Sequence, residues 1–554
     1  MVTDTDMKNK PSGLSTLCGA IIACLSSHSS AQSFGSPGQP GYGLGQSSYS
    51  PGQSFLGSNS SFGESGRAFT IKPRITLTET WTDNVSVSGG QNGKESGLIT
   101  QVAPGVRVDA NTARLKAYFD YALNAQYYST SSAQNRTQNA LNTFGTLEAV
   151  SNWLYLDFNG IISQQAVSAF GPQSPSNTSQ NSNSTETSSY RLSPYIRGQF
   201  AGLIDYSLRY NWATTQTNTS NASNVDTSDW LGQIRGGTPF QSLRWSVDAT
   251  RQTSTYSQGR KTESERIYGM ATYTVVPQLR VSLSGGTESN NYASVDMESH
   301  ATHGYGFEWT PTERTNISAY RESRFFGDGH RYTFSHRFPL SNIRFSDTKD
   351  VSVLPNQFTT VGLGTAYELF YPVFFQICSQ NAQLASQYPD LNTCAIAQFQ
   401  QLRISPNALV TSDFLRSQAT LQRNQQLSMV FQGARNSLTV MLNRTQSESI
   451  LALAAVNDDF SRNNINSIRQ RGISVNLTHR LTSLTNLSFM ASRQESTGSG
   501  TSNLKTTTSM YQANLTSPLG AKTTGSISVR RTEFDSSSNP YTENAIIGTV
   551  SMIF

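Results

Sequence analysis

The sequence is poor in charge, in cysteine and in long apolar runs, and each scarcity removes a class of protein. Charged residues make up 14% of the 554 and hydrophobic ones 36%. Outside the N-terminal stretch no apolar run reaches the roughly 18 residues that a membrane-spanning helix needs, which excludes a helical membrane bundle. Low apolar content with few charges also describes disordered chains. Yet 27 Phe, 23 Tyr and 6 Trp are spread along the sequence, and disordered chains are poor in aromatics. The net charge of +5 is small, and arginines are interspersed with acids rather than gathered in a stripe, so nucleic acid is not an expected partner.

The N-terminus has the three parts of an export signal. Lys8 and Lys10 give a positive region, Leu14 to Leu25 an apolar core too short to span a bilayer, and Ser29 to Ala31 a cleavage site, so that 1–31 is expected to be removed. Within it, Ile21 to Cys24 also resembles a lipoprotein box in which Cys24 would be lipidated. Residues 32–68 are rich in Gly, Ser, Gln and Pro without periodicity, the composition of a flexible linker. Without the signal two cysteines remain, Cys378 and Cys394. In an oxidising compartment they are expected to form a disulfide closing a short loop, worth about 3 kcal/mol. Two free buried thiols are the alternative.

What the chain does have is alternation. From Arg114 to Tyr127, Leu115, Ala117, Phe119, Tyr121, Leu123, Ala125 and Tyr127 interleave with Lys116, Asp120, Asn124 and Gln126. The same period of two recurs at Ile204, Tyr206, Leu208, Tyr210 and Trp212, and at Leu243, Trp245, Val247 and Ala249. Each such segment is a strand with one apolar and one polar face. Segments of ten or more residues exceed the usual globular strand but suit a tilted crossing of a bilayer. Strands in hydrocarbon must close on one another to satisfy their backbones. The expected fold is therefore all-β, a large antiparallel transmembrane β-barrel over 69–554 with about 22 strands, give or take about four. One stretch, 355–412, breaks the alternation and is expected to be an irregular, partly helical insert carrying the cysteine pair.

No nucleophile elbow and no metalloprotease helix motif occurs, so neither catalysis nor a cofactor or metal is expected. His330 and His336, near Glu322, Arg324 and Asp328 in sequence, read as a polar cluster in the lumen. Arg191, Arg197, Arg209, Arg235, Arg244, Arg251 and Arg280 fall at polar positions of successive strands, as lumen-facing guanidiniums would.

Several stretches carry a resemblance: "TETWTDNV" from Thr78, "APGVRV" from Ala103, "YALNAQYYS", the insert before "FLRSQATLQ", and "GARNSLTVMLNRTQS" from Gly433. Together they resemble the outer-membrane barrels associated with the PEP-CTERM/exosortase sorting system. The resemblance implies residence in the outer membrane, a role in assembling or exporting surface polysaccharide, and periplasmic export components as partners. A pore or conduit is the first expectation; a non-transport scaffold or surface-binding protein is the second, and an outer-membrane hydrolase the third. Val550, Met552 and Phe554, with polar residues between them, suit an outward face in lipid and the signal that barrel assembly machinery reads. Deleting Phe554 is expected to lower the amount of folded barrel in the outer membrane while export across the inner membrane continues; unchanged levels would refute this role.

Overall fold

The computed structural model describes residues 68–89, 94–130, 135–174, 176–220, 222–240, 242–353, 414–416, 418–450, 459–482, 484–500 and 504–554. The expected signal, Cys24, nearly all of the linker, the insert 355–412 and the cysteines Cys378 and Cys394 lie outside them. The strands follow in chain order as β1 (Phe69–Thr82), β2 (Gly97–Asn111), β3 (Leu115–Tyr128), β4 (Arg136–Val150), β5 (Leu154–Ala166), β6 (Ser184–Phe200) and β7 (Ile204–Thr217). Next come β8 (Val225–Gly237), β9 (Leu243–Tyr256), β10 (Thr262–Val276), β11 (Leu279–Asn290), β12 (Glu298–Thr312), β13 (Thr315–Arg324), β14 (Gly327–Arg337) and β15 (Ser341–Ser352). After the insert follow β16 (Thr420–Gln432), β17 (Asn436–Ser449), the single turn of helix α1 (Asp459–Arg462), β18 (Ile465–Arg480), β19 (Asn486–Gly500), β20 (Leu504–Pro518), β21 (Thr523–Ser536) and β22 (Tyr541–Ile553).

Each strand pairs antiparallel with its sequence neighbours, and β1 closes the ring against β22 in the register Leu77 to Val550. The seam is hydrogen-bonded on its inner side as well, Thr76 to Ser551 at 3.0 Å and Thr78 to Thr549 at 3.3 Å. Closure leaves no unpaired edge, the condition that hydrocarbon imposes on strands.

Alternation then sorts the side chains. On β1 Ile71, Ile75, Leu77 and Trp81 point outward and stay exposed, while Arg74, Thr76, Thr80 and Thr82 point inward. On β22 Ile546, Val550 and Met552 are outward, and Phe554, whose backbone N–H donates to the Pro73 carbonyl, continues that face. Covering a half-exposed Leu or Ile with lipid contributes roughly 1 kcal/mol each, and the band encircles the barrel. This is a membrane-spanning barrel by its surface as well as by its closure.

Its two ends differ. At one, the connections 112–114, 151–153, 201–203, 238–242, 277–278, 313–314, 338–340, 433–435, 481–485 and 519–522 are short. The turn Phe200 to Leu203 is made by Ala201 and Gly202, both with positive φ (51° and 70°), the backbone that matches strand twist. The opposite end carries the longer connections 83–96, 167–183, 353–419 and 450–464. β15 ends and β16 begins at this long-loop end.

Candidate functional site

The inward face is largely polar, but its charges are not evenly spread. Near the short turns it carries Lys72, Arg107, Lys116, Arg197, Arg235 and Arg244, then Arg280, Arg337, Arg344 and Arg480 on the other half of the ring. Arg114, Arg314, Arg435 and Lys522 occupy the turns themselves. Some of these cations have acids: Arg107 pairs with Asp109 at 2.9 Å and Arg280 with Glu308 at 3.3 Å, and Arg235 stands opposite Asp205. Among the described residues Arg244, Arg337, Arg344 and Arg480 have none. The short-turn mouth is consequently a basic ring, which raises the local concentration of anions.

Higher on the β5–β7 wall the arginines are stacked and held. Arg197 lies 4.3 Å above the Tyr155 ring and Arg209 4.1 Å above Tyr195, and the two tyrosines stack on each other at 5.0 Å. Arg209 also donates to Asp157 at 2.8 Å. Arg197 likewise donates to the Tyr155 hydroxyl at 3.1 Å. A guanidinium fixed flat on an aromatic presents its remaining edge donors to a passing ligand at little further entropy cost.

The long-loop end is capped. The Leu415 N–H donates to the Ala166 carbonyl at 3.0 Å, and Phe414 forms a parallel bridge with Ala166 at the end of β5. Thr420, six residues on from Phe414, begins β16. Ten strands separate β5 from β16 in either direction round the ring, so the chain here crosses from one wall to the opposite one. The span from Leu415 to Thr420 is at most about 17 Å of extended chain, so the end of β5 and the start of β16 stand within short reach of each other.

Phe414 is buried with Ala169, Phe170, Phe460, Ile465 and Ile468. A bulge lets Ile465 and Ile468, three apart, share the inner face, since Ile465 and Ser467 pair with the consecutive residues Gly500 and Ser499. Asp459 of α1 accepts the Ala169 N–H at 2.7 Å. The connection between β5 and β6 continues across: Arg136 donates to the Asn177 and Ser179 carbonyls and Tyr128 to that of Thr178. A second cluster of Tyr292, Val351, Val353 and Ala419 covers the β9–β16 side. Burial pushes the Tyr292 phenol up, so it stays a neutral donor, 3.4 Å from Gln252.

No protein-family model and no curated protein sequence matches the chain. Among solved structures it is similar to the siderophore receptor PirA from Pseudomonas aeruginosa, at 8% identity over 87% of this chain and 80% of that one, with a TM-score of 0.43. It is also similar to the FrpB iron transporter from Neisseria meningitidis, at 8% identity over 87% and 82% with a TM-score of 0.36. For a BenF-like porin from Pseudomonas fluorescens the figures are 10%, 87%, 99% and 0.33. The strand number, register and mouths described above rest on this chain's own structure.

The sequence-expected lumenal arginines divide accordingly. Arg191, Arg197, Arg209, Arg235, Arg244 and Arg280 are on the inner face. Arg251 is not: it lies outward beside Trp230, two-thirds exposed and paired with Glu265 at 3.2 Å. Arg244 and Arg251 are seven apart on one strand, and an odd spacing puts them on opposite faces. His330 and His336 also share a face, but the outer one. His330 contacts Asp347 at 3.0 Å and His336 contacts Thr315 at 2.8 Å, whereas Glu322 and Arg324 point inward. Lys72, Arg107, Lys116, Arg337, Arg344 and Arg480 join the basic ring without having been singled out by sequence. Alternation counted from the adjoining apolar positions would have found them.

Proposed function

We propose that the chain is an outer-membrane pore for an acidic surface polysaccharide, with the short-turn mouth on the periplasmic side. The observation that carries the reading is the basic ring at that mouth, where Arg244, Arg337, Arg344 and Arg480 lack acidic neighbours among the described residues. The orientation follows the rule that such barrels keep their short turns in the periplasm. A polymer leaving the periplasm would meet guanidiniums first, pass the stacked Arg197 and Arg209, and reach the cap at the long-loop mouth. The association with exopolysaccharide rests on the sequence resemblance; uronate-type sugars supply the carboxylates that bidentate guanidiniums bind.

Binding tests this without transport. Purified barrel is expected to bind an oligouronate at least about tenfold more tightly than a neutral dextran of equal length, a gap of roughly one charge-assisted hydrogen bond. Arg337→Gln with Arg344→Gln should remove most of the difference, read by titration calorimetry. Equal affinity for the two sugars would refute the acidic-polysaccharide reading.

A further inference from the structure

The outer wall of β17–β21, towards the long loops, carries arginines that the pore does not use. Arg444, Arg469, Arg471, Arg493, Lys505 and Arg531 all face outward there, with Glu448, Glu495, Glu533 and Asp535 among them. Arg471 and Lys505 share Glu495 at 2.6 and 3.2 Å, and Arg531 pairs with Glu533 at 2.8 Å. Among the described residues Arg444, Arg469 and Arg493 have no side-chain partner. Moreover, Arg444 stands directly opposite Arg471 in the β17–β18 register. Like charges facing each other across a strand pair are destabilising, unless an anion lies between them.

Immediately towards the short-turn end the same wall is hollow. A groove of about 640 Å³ runs over β18–β22 and β1. Ala491 and Ala513 lie low in it between the larger Phe489, Tyr511, Ile546 and Trp81. Arg493 follows Ala491 by one outward position, and Arg531 lines the groove itself. An apolar channel in the membrane band with unneutralised guanidiniums at its upper edge matches a lipid whose head carries phosphates.

We propose that this wall binds a phosphorylated, multiply acylated lipid of the outer leaflet, of lipid A chemistry. Acyl chains lie over Ala491 and Ala513, and the phosphates sit among Arg444, Arg471 and Arg493. The inference uses the membrane orientation given under the proposed function but not the transport role, and lipid binding in detergent is read independently of sugar binding and conductance.

The test titrates the purified full-length barrel with bisphosphorylated lipid A, its dephosphorylated counterpart and phosphatidylglycerol, followed by native mass spectrometry. Bisphosphorylated lipid A is expected to bind at least about tenfold more tightly than either of the others, as charge-assisted contacts to phosphate allow. Arg444→Gln with Arg493→Gln, both surface changes, should abolish that preference in barrel that still migrates as a folded species. Ala513→Trp, which fills the groove, should weaken all three lipids. Equal affinity for the three lipids, or an undiminished preference in the double glutamine variant, would overturn the proposal.

Discussion

Placing a carboxylate at Phe414 (Phe414→Asp) is expected to open the long-loop mouth and raise single-channel conductance in planar bilayers several-fold over the unsubstituted barrel. Phe414 is 2% exposed in an apolar cluster, with the Arg416 guanidinium over its ring at 5.6 Å as the nearest cation. Burying a carboxylate costs several kcal/mol, and turning it towards Arg416 and solvent would draw the segment out of its apolar cluster, so the Ala166 bridge should release. The ring of strands closes without that bridge, and the barrel itself should stay folded. Deleting 355–412 should act in the same direction by removing the tether on Phe414, whereas Phe414→Leu, which keeps the apolar volume, should leave conductance near its starting value. Unchanged conductance in both the Asp variant and the deletion would mean that the crossing segment does not limit the pore.

The second large effect is on stability. The Arg324 side chain on β13 is 2% exposed and donates to Glu288 on β11 at 2.5 and 2.8 Å and to Asp350 on β15 at 2.6 Å. One guanidinium thus ties three strands. Glu288 is fully buried, and without Arg324 its charge would have no comparable partner. Arg324→Ala is therefore expected to lower stability by about 3–5 kcal/mol, measured as the midpoint of urea unfolding in lipid vesicles. The cost is largely that of the stranded carboxylate. Accordingly, Arg324→Met combined with Glu288→Leu should recover most of it, because a well-packed apolar pair can replace a buried ion pair. If the double variant were as unstable as the single one, the strands would be held by something other than this charge arrangement. Another deeply buried pair, Arg530 with Glu543 at 3.1 Å, is a natural comparison between β21 and β22.

How far the sequence carried the reading depends on the range of the interaction. Strand identity is local, since Leu115 to Tyr127 and Ile204 to Trp212 each announce a face by alternation alone, and the count of 22 followed from such segments. Facing is local too, but it must be counted from a fixed position. Arg251 failed because it was grouped with Arg244 by residue type instead of parity. His330 and His336 failed because nearness in sequence to Glu322 and Arg324 was taken for a shared face across a turn. The cap is different in kind. Ala166 and Phe414 meet only because β5 and β16 stand on opposite walls, and nothing within either segment announces a partner so distant along the chain. The groove beside Ala491 and Ala513 is likewise a property of small residues on adjacent strands, which becomes visible once the register is known.

Anion selection by the proposed pore at its short-turn mouth would show in the reversal potential across a tenfold KCl gradient. The Phe414→Asp barrel, inserted in a planar bilayer, should show a reversal potential of the sign set by chloride. Arg244→Gln with Arg337→Gln and Arg344→Gln should move it towards zero, and the shift should shrink at high salt, where the ring is screened. A cation-selective pore, or a potential that the triple variant leaves unchanged, would contradict the account.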